Sequence, residues 1–109
     1  MASCTEKHNT VGHSIGRMLL RHGLREFFGQ GLPQGLSLPF EELGLRQIAY
    51  RTENGGGYMA DGYDRVSKRP GVMIAQNGPA ATLVVAPLAE ALKSSIPLVV
   101  MLQEIPLKN

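Results

Sequence analysis

Cysteine is nearly absent from this 109-residue chain: Cys4 stands alone. A single cysteine excludes an intramolecular disulfide and any multi-cysteine metal site. It lies in a polar amino-terminal stretch, where an ordinary exposed thiol is expected. Long apolar runs are also lacking. Leu83–Ala89 and Ile96–Leu102 are the longest, well short of the about 20 residues that span a membrane. Charge of one sign is not in excess either. Eleven Lys and Arg face nine Asp and Glu, for a net charge of +2, and they are scattered along the chain. That argues against a nucleic-acid partner. Met1–Val11 has no apolar core leading to a small-residue cleavage site, so no secretory signal is expected. With one cysteine, the expectation is a reducing, cytoplasmic setting. The length has room for one small domain or less.

Glycine and proline are plentiful, at thirteen and seven. They fall at the edges of periodic segments and punctuate many short elements. Residues 1–9 are polar and expected to form a flexible tail. Thr10 is a candidate N-cap for a helix with Val11, Ile15, Met18 and Leu19 on one stripe, stopping at Gly23. A strand is predicted over Arg25–Gly29, a loop over Gly29–Pro39, one helical turn over Phe40–Gly44 and a strand over Arg46–Thr52. Glu53–Ser67 has helical periodicity, although Gly55-Gly56-Gly57 costs about 1 kcal/mol per residue relative to alanine. Those glycines need a reason other than propensity. Gly71–Ala75 predicts a buried strand. A helix opens at Gly78-Pro79 and runs to Lys93 with a kink at Pro87. Pro97–Leu102 predicts a last strand. Strands apolar on both faces, alternating with helices, predict a three-layer α/β/α fold on a parallel sheet. The final strand is expected at an apolar edge that needs covering.

Chemistry is sparse on residue pattern alone. G-Q-G-L-P-Q-G, Gly29–Gly35, follows a strand but is not G-x-G-x-x-G, and a plain turn is the expected role. His8, His13 and His22 do not share a metal-ligand spacing, so surface or capping roles are expected. Glu53 stands where a strand ends and a glycine-rich helix begins. Ligands of open α/β sheets bind outside the carboxyl ends of strands. A carboxylate beside side-chain-free backbone could touch a flat ligand there, or could simply serve the helix dipole. Gly78-Pro79-Ala80-Ala81-Thr82 is a second tight turn on that rim, either a ligand contact or a plain helix start.

A family signature emerges from longer stretches. R-T-E-N-G-G-G-Y-M-A-D-G-Y-D-R-V-S-K-R-P-G-V, Arg51–Val72, resembles the amino-terminal pyrimidine-binding domain of thiamine-diphosphate-dependent enzymes, in particular the acetolactate synthase and 2-oxo-acid decarboxylase group. G-P-A-A-T (Gly78–Thr82), L-A-E-A (Leu88–Ala91), S-I-P-L-V-V (Ser95–Val100) and R-H-G-L-R-E-F-F-G (Arg21–Gly29) extend the resemblance from about Val11 to Pro106. It implies that Glu53 hydrogen-bonds the cofactor's aminopyrimidine N1′, favouring the imino tautomer that takes the thiazolium C2 proton. It implies that Gly78, Pro79 and Ala80 approach the same ring, and that the glycines after Glu53 serve close packing at a subunit contact.

The resemblance covers only part of that domain, here residues 10–109. Its diphosphate-binding domain, which holds the magnesium ion, has no counterpart in the chain. The expectation is therefore a fragment or split subunit, inactive alone. It would need a second subunit of a homo-oligomer, or a diphosphate-binding domain or subunit, to act on a small 2-oxo acid. Self-association or partner capture through the helix Glu53–Ser67 and the last strand is expected. Departures from the family pattern are Thr52 for histidine, Ala80 for glycine, Leu83 for asparagine, Pro87 for glycine, and Leu102-Gln103-Glu104 for T-G-Q. These leave open a non-catalytic binding or scaffolding module that keeps the fold.

Overall fold

The structure is a computed structural model and describes residues 9–104. Residues 1–8, with Cys4, His8 and most of the expected tail, lie outside the described residues, as do residues 105–109. The chain runs α1 (Val11–Arg21), β1 (Glu26–Gly29), α2 (Gln34–Glu42), β2 (Arg46–Ala49), α3 (Glu53–Ser67), β3 (Gly71–Ala75), α4 (Pro79–Leu83), α5 (Val85–Lys93) and β4 (Leu98–Leu102). Among the described residues the strands form one parallel sheet in the order β2-β1-β3-β4. No described helix is long and apolar enough to cross a membrane.

Side-chain alternation along the strands divides the core into two layers. Phe27, Val72 and Ile74 pack on one face with Leu19, Leu24, Phe40 and Leu45 from the α1/α2 side. Phe28, Met73 and Ala75 pack on the other with Tyr50, Ala60, Ala80 and Val84 from the α3/α4/α5 side. The edge-to-face pairs Phe27–Phe40 and Phe28–Tyr63, with centroids 5.2 and 5.8 Å apart, mark the two layers. This is the expected α/β/α arrangement, and β4 is at an edge of the described sheet, with Val99 and Leu102 exposed.

Two expected elements differ. Residues 34–42 form a helix where a loop and a single turn were expected. Pro39 sits inside it, buried against α1, and a Cβ at Gly12 would lie 2.8 Å from the Pro39 ring and 2.2 Å from the Gly35 carbonyl oxygen. Tight α1–α2 packing outweighs the weak local propensity. The long helix after Gly78 is two helices that meet at Val84, not one kinked at Pro87. Pro87 is the third residue of α5, in the first turn, where a backbone N–H has no partner within the helix.

The first helix is capped as expected at Thr10, and His13 belongs to the cap. The Thr10 hydroxyl accepts from the His13 backbone N–H at 3.2 Å, and His13 Nδ1 lies 3.4 Å from the Thr10 backbone nitrogen. His13 is buried rather than superficial, and its Nε2 reaches Glu42 Oε2 at 2.8 Å, tying α1 to the end of α2.

Candidate functional site

All four strands are parallel, so their carboxyl ends share one rim. The chain leaves β1 for β2 on one side through α2, then crosses to β3 on the other side through α3. The winding therefore reverses between the carboxyl ends of β1 and β3, the crevice where open α/β sheets place ligands. Two inter-strand spacings of about 4.8 Å set β2 and β3 roughly 10 Å apart across β1. Glu53 follows the first of those strands and Gly78 the second.

Glu53 is the first residue of α3 and is half-buried. Thr52 is extended (φ −126°, ψ 153°), and its hydroxyl accepts from the Gly55 backbone N–H at 3.2 Å. The residue that departs from the resembled pattern is thus a working N-cap. The carboxylate beside it sits at the positive end of the helix dipole.

The glycine triplet has a reason within the chain. A Cβ at Gly56 would stand 2.5 Å from the Tyr50 ring, and one at Gly57 would stand 2.4 Å from the Pro87 ring. Both glycines are buried, and both let α3 lie directly on neighbouring side chains. Gly55 is different: a Cβ there would meet only the Thr52 hydroxyl oxygen, at 2.9 Å.

On the opposite wall, Gly78 has φ 68° and ψ −132°, a conformation open to glycine alone. Pro79 follows as the first residue of α4. Gly78 and Pro79 are exposed on the rim, while Ala80 is buried in the core layer that contains Tyr50. The structure thus puts Glu53, Gly78 and Pro79 on one rim and turns Ala80 into the core beneath.

Between the walls, β1 ends at Gly29 and continues into Gln30 and Gly31. Gln30 Nε2 donates to the carbonyls of Tyr50 and Arg51 at 3.0 and 3.1 Å, and the Gly31 N–H donates to Gln47 Oε1 at 2.8 Å. This stretch makes a turn, as expected, but α2 begins at Gln34, one residue before the third glycine of the run. The strand expected over Arg46–Thr52 ends at Ala49, and sequence reasoning gave Tyr50, within that span, no part in the site. Tyr50 lies just past β2, with its hydroxyl on the Ile74 carbonyl at 2.9 Å. Burial, then the neighbouring Glu53 charge, push its phenol up to about 12. Two apolar cavities, one bounded by Leu88, Ile96 and Leu98 and the other by Leu24, Val72 and Val99, lie toward the amino-terminal ends of the strands, away from this rim. No cluster of three or more His, Cys, Asp or Glu occurs among the described residues.

A doubly wound parallel sheet with a carboxylate and a glycine turn on its carboxyl rim defines a cofactor-binding α/β domain. Comparison with known proteins makes the class particular. The family model described as "Thiamine pyrophosphate enzyme, N-terminal TPP binding domain" matches residues 9–109. The chain belongs to that family. It is 37% identical over 102 residues to the mitochondrial acetolactate synthase catalytic subunit of Aspergillus candidus, covering 89% of this chain and 14% of the relative. It is 35% identical over 105 residues to a probable 2-ketoarginine decarboxylase of Pseudomonas aeruginosa, covering 87% and 17%. An acetolactate synthase of Mycobacterium bovis is 40% identical over 95 residues, covering 83% and 15%. The chain thus spans about one-seventh to one-sixth of the length of these relatives.

The residues on the rim fit the aminopyrimidine of thiamine diphosphate. That ring is flat and carries donors and acceptors at its edge. A half-buried carboxylate on one wall and a turn bare of side chain on the other suit such a group.

Proposed function

We infer that this chain supplies the pyrimidine-binding part of a thiamine-diphosphate-dependent enzyme acting on 2-oxo acids, and that Glu53 is the residue that holds the aminopyrimidine. The observation that carries this reading is the position of Glu53. It opens α3 on the carboxyl rim, across the end of β1 from the glycine turn at Gly78. When bound, thiamine diphosphate serves as the electron sink for decarboxylation of a 2-oxo acid. Glu53 accepts a hydrogen bond at a ring nitrogen and fixes the protonation of the ring's edge. Its half-buried site strengthens that bond relative to water. Gly78 brings bare backbone to the ring, Pro79 starts α4 without an unpaired N–H, and Ala80 packs the floor.

The relatives are named for acetolactate synthesis and for decarboxylation of 2-ketoarginine. A 2-oxo acid is common to both chemistries and is the substrate class proposed here. The diphosphate and its magnesium ion are assigned to a diphosphate-binding domain or a second subunit. The small share of the relatives' length that the chain spans supports that assignment. A cytoplasmic setting remains part of the proposal.

The test joins the chain to a diphosphate-binding unit and supplies thiamine diphosphate, magnesium and pyruvate. The chain by itself is expected to turn nothing over. Glu53→Gln in the joined protein is expected to lower turnover by about 100-fold or more, the scale of one preorganised polar contact to a reacting group. Unchanged turnover would remove Glu53 from the role. Failure of the joined wild-type protein to bind thiamine diphosphate would favour a scaffolding module.

A further inference from the structure

We propose that Tyr50 is a positioning residue that locks the two walls of the Glu53 site together; the inference rests on the site proposed above. Tyr50 lies three residues before Glu53 and is only 6% exposed. Three contacts connect it to three elements. Its hydroxyl donates to the Ile74 carbonyl oxygen in β3 at 2.9 Å. Its ring lies so close over Gly56 in α3 that a Cβ there would stand 2.5 Å from two ring atoms. Its own carbonyl accepts from Gln30 Nε2 at 3.0 Å, at the exit of β1. Ile74 leads four residues later into Gly78, and Ala80 shares a core layer with Tyr50. Both the helix that presents Glu53 and the strand that presents the Gly78 turn are therefore held by one side chain.

The chemistry suits a permanent brace rather than a switch. The phenol is pushed up to about 12 by burial and by Glu53, so the hydroxyl remains a donor throughout the neutral range. Any apolar residue at this place would leave the buried Ile74 carbonyl without this donor. The substitution Tyr50→Phe isolates that difference: it removes the hydroxyl and leaves the ring on Gly56.

The readout is amide hydrogen exchange, followed by NMR on the whole chain without cofactor, with a thiamine diphosphate titration of the chain joined to a diphosphate-binding unit run in parallel. In Tyr50→Phe, exchange is expected to accelerate about fivefold or more, the scale of one hydrogen bond. The effect should appear together at Gly56 and Gly57, near the start of α3, and at Ala81, whose N–H donates to the Gly78 carbonyl. The β1–β2 ladder around Phe28 and Ile48 is expected to be unaffected. A general loss of stability would instead accelerate every core amide. A uniform change, a change at one wall only, or no change overturns the proposal. Gly56→Ala presses on the same ring and is expected to give the same two-wall pattern, which keeps the test available should Tyr50→Phe fold poorly. In the titration, run on the chain joined to a diphosphate-binding unit, thiamine diphosphate with magnesium should shift Glu53 and the Gly78 and Ala80 amides in the wild type, with weaker binding in Tyr50→Phe. No response in the wild type overturns the site itself and the role of Tyr50 with it. An intact wild-type response with unchanged exchange in Tyr50→Phe overturns Tyr50 alone.

Discussion

Two glycines in one helix should answer the same substitution with opposite signs. Gly57 and Gly62 both lie in α3, and replacing either with alanine improves helix propensity by about 1 kcal/mol. Their surroundings differ. A Cβ at Gly62 meets no atom within 4 Å, whereas a Cβ at Gly57 would stand 2.4 and 2.7 Å from two ring carbons of Pro87. A proline ring on a packed helix cannot swing aside as a lysine could. Overpacking of this kind costs about 1–3 kcal/mol. Gly62→Ala is thus expected to stabilise by about 1 kcal/mol, and Gly57→Ala to destabilise by up to about 2 kcal/mol. The propensity gain is common to both, so the difference between them measures the clash alone. In a domain of this size each kcal/mol moves the thermal midpoint by about 4–8 °C. Far-UV circular dichroism during heating and in urea reads both variants. Pro87→Gly in the Gly57→Ala background should return part of the loss, since it removes the atoms that clash. If Gly57→Ala matches Gly62→Ala, the packing explanation for the glycine triplet is wrong.

Two further outcomes follow from buried groups. Because Tyr50 has its phenol raised from the ordinary 10.0 to about 12, its stabilising contribution is complete below pH 10 and is lost as the pH rises through 12. Alkaline unfolding curves should show a loss of stability in that window that Tyr50→Phe reduces. His13→Ala removes half of the Thr10 capping box and the 2.8 Å contact with Glu42, and should lower stability by about 1–3 kcal/mol in urea titrations.

The parallel sheet was legible because Val72–Ala75 and Leu98–Leu102 are apolar at successive positions, as strands covered on both faces are; β3 is buried throughout, whereas β4, at the edge, leaves Val99 and Leu102 exposed. Glu53 and Gly78 were legible for a different reason. Each follows a predicted strand and opens a predicted helix, and that junction is where α/β sheets put ligands. Helix α2 was hidden because Pro33, Gly35 and Pro39 are local breakers, whereas its close packing on Gly12 and Gly16 of α1 is a contact between distant residues that local pattern does not show. The break at Val84 was hidden because a proline marks the start of a helix as readily as a kink within one. Tyr50 could not be recognised at all from spacing. Its importance lies in a hydrogen bond to Ile74, 24 residues away in sequence. The glycine triplet was visible as an anomaly, but the contacts that justify it come from Tyr50 and Pro87, on either side of it in the chain.

The most direct test of the account is thiamine diphosphate binding, measured by calorimetry with magnesium on the chain joined to a diphosphate-binding unit, wild type against Glu53→Gln. The account predicts saturable binding by the wild type and a loss of about tenfold or more in affinity for the variant, the scale of a hydrogen bond to a charged group. Equal affinity in the two proteins would contradict it.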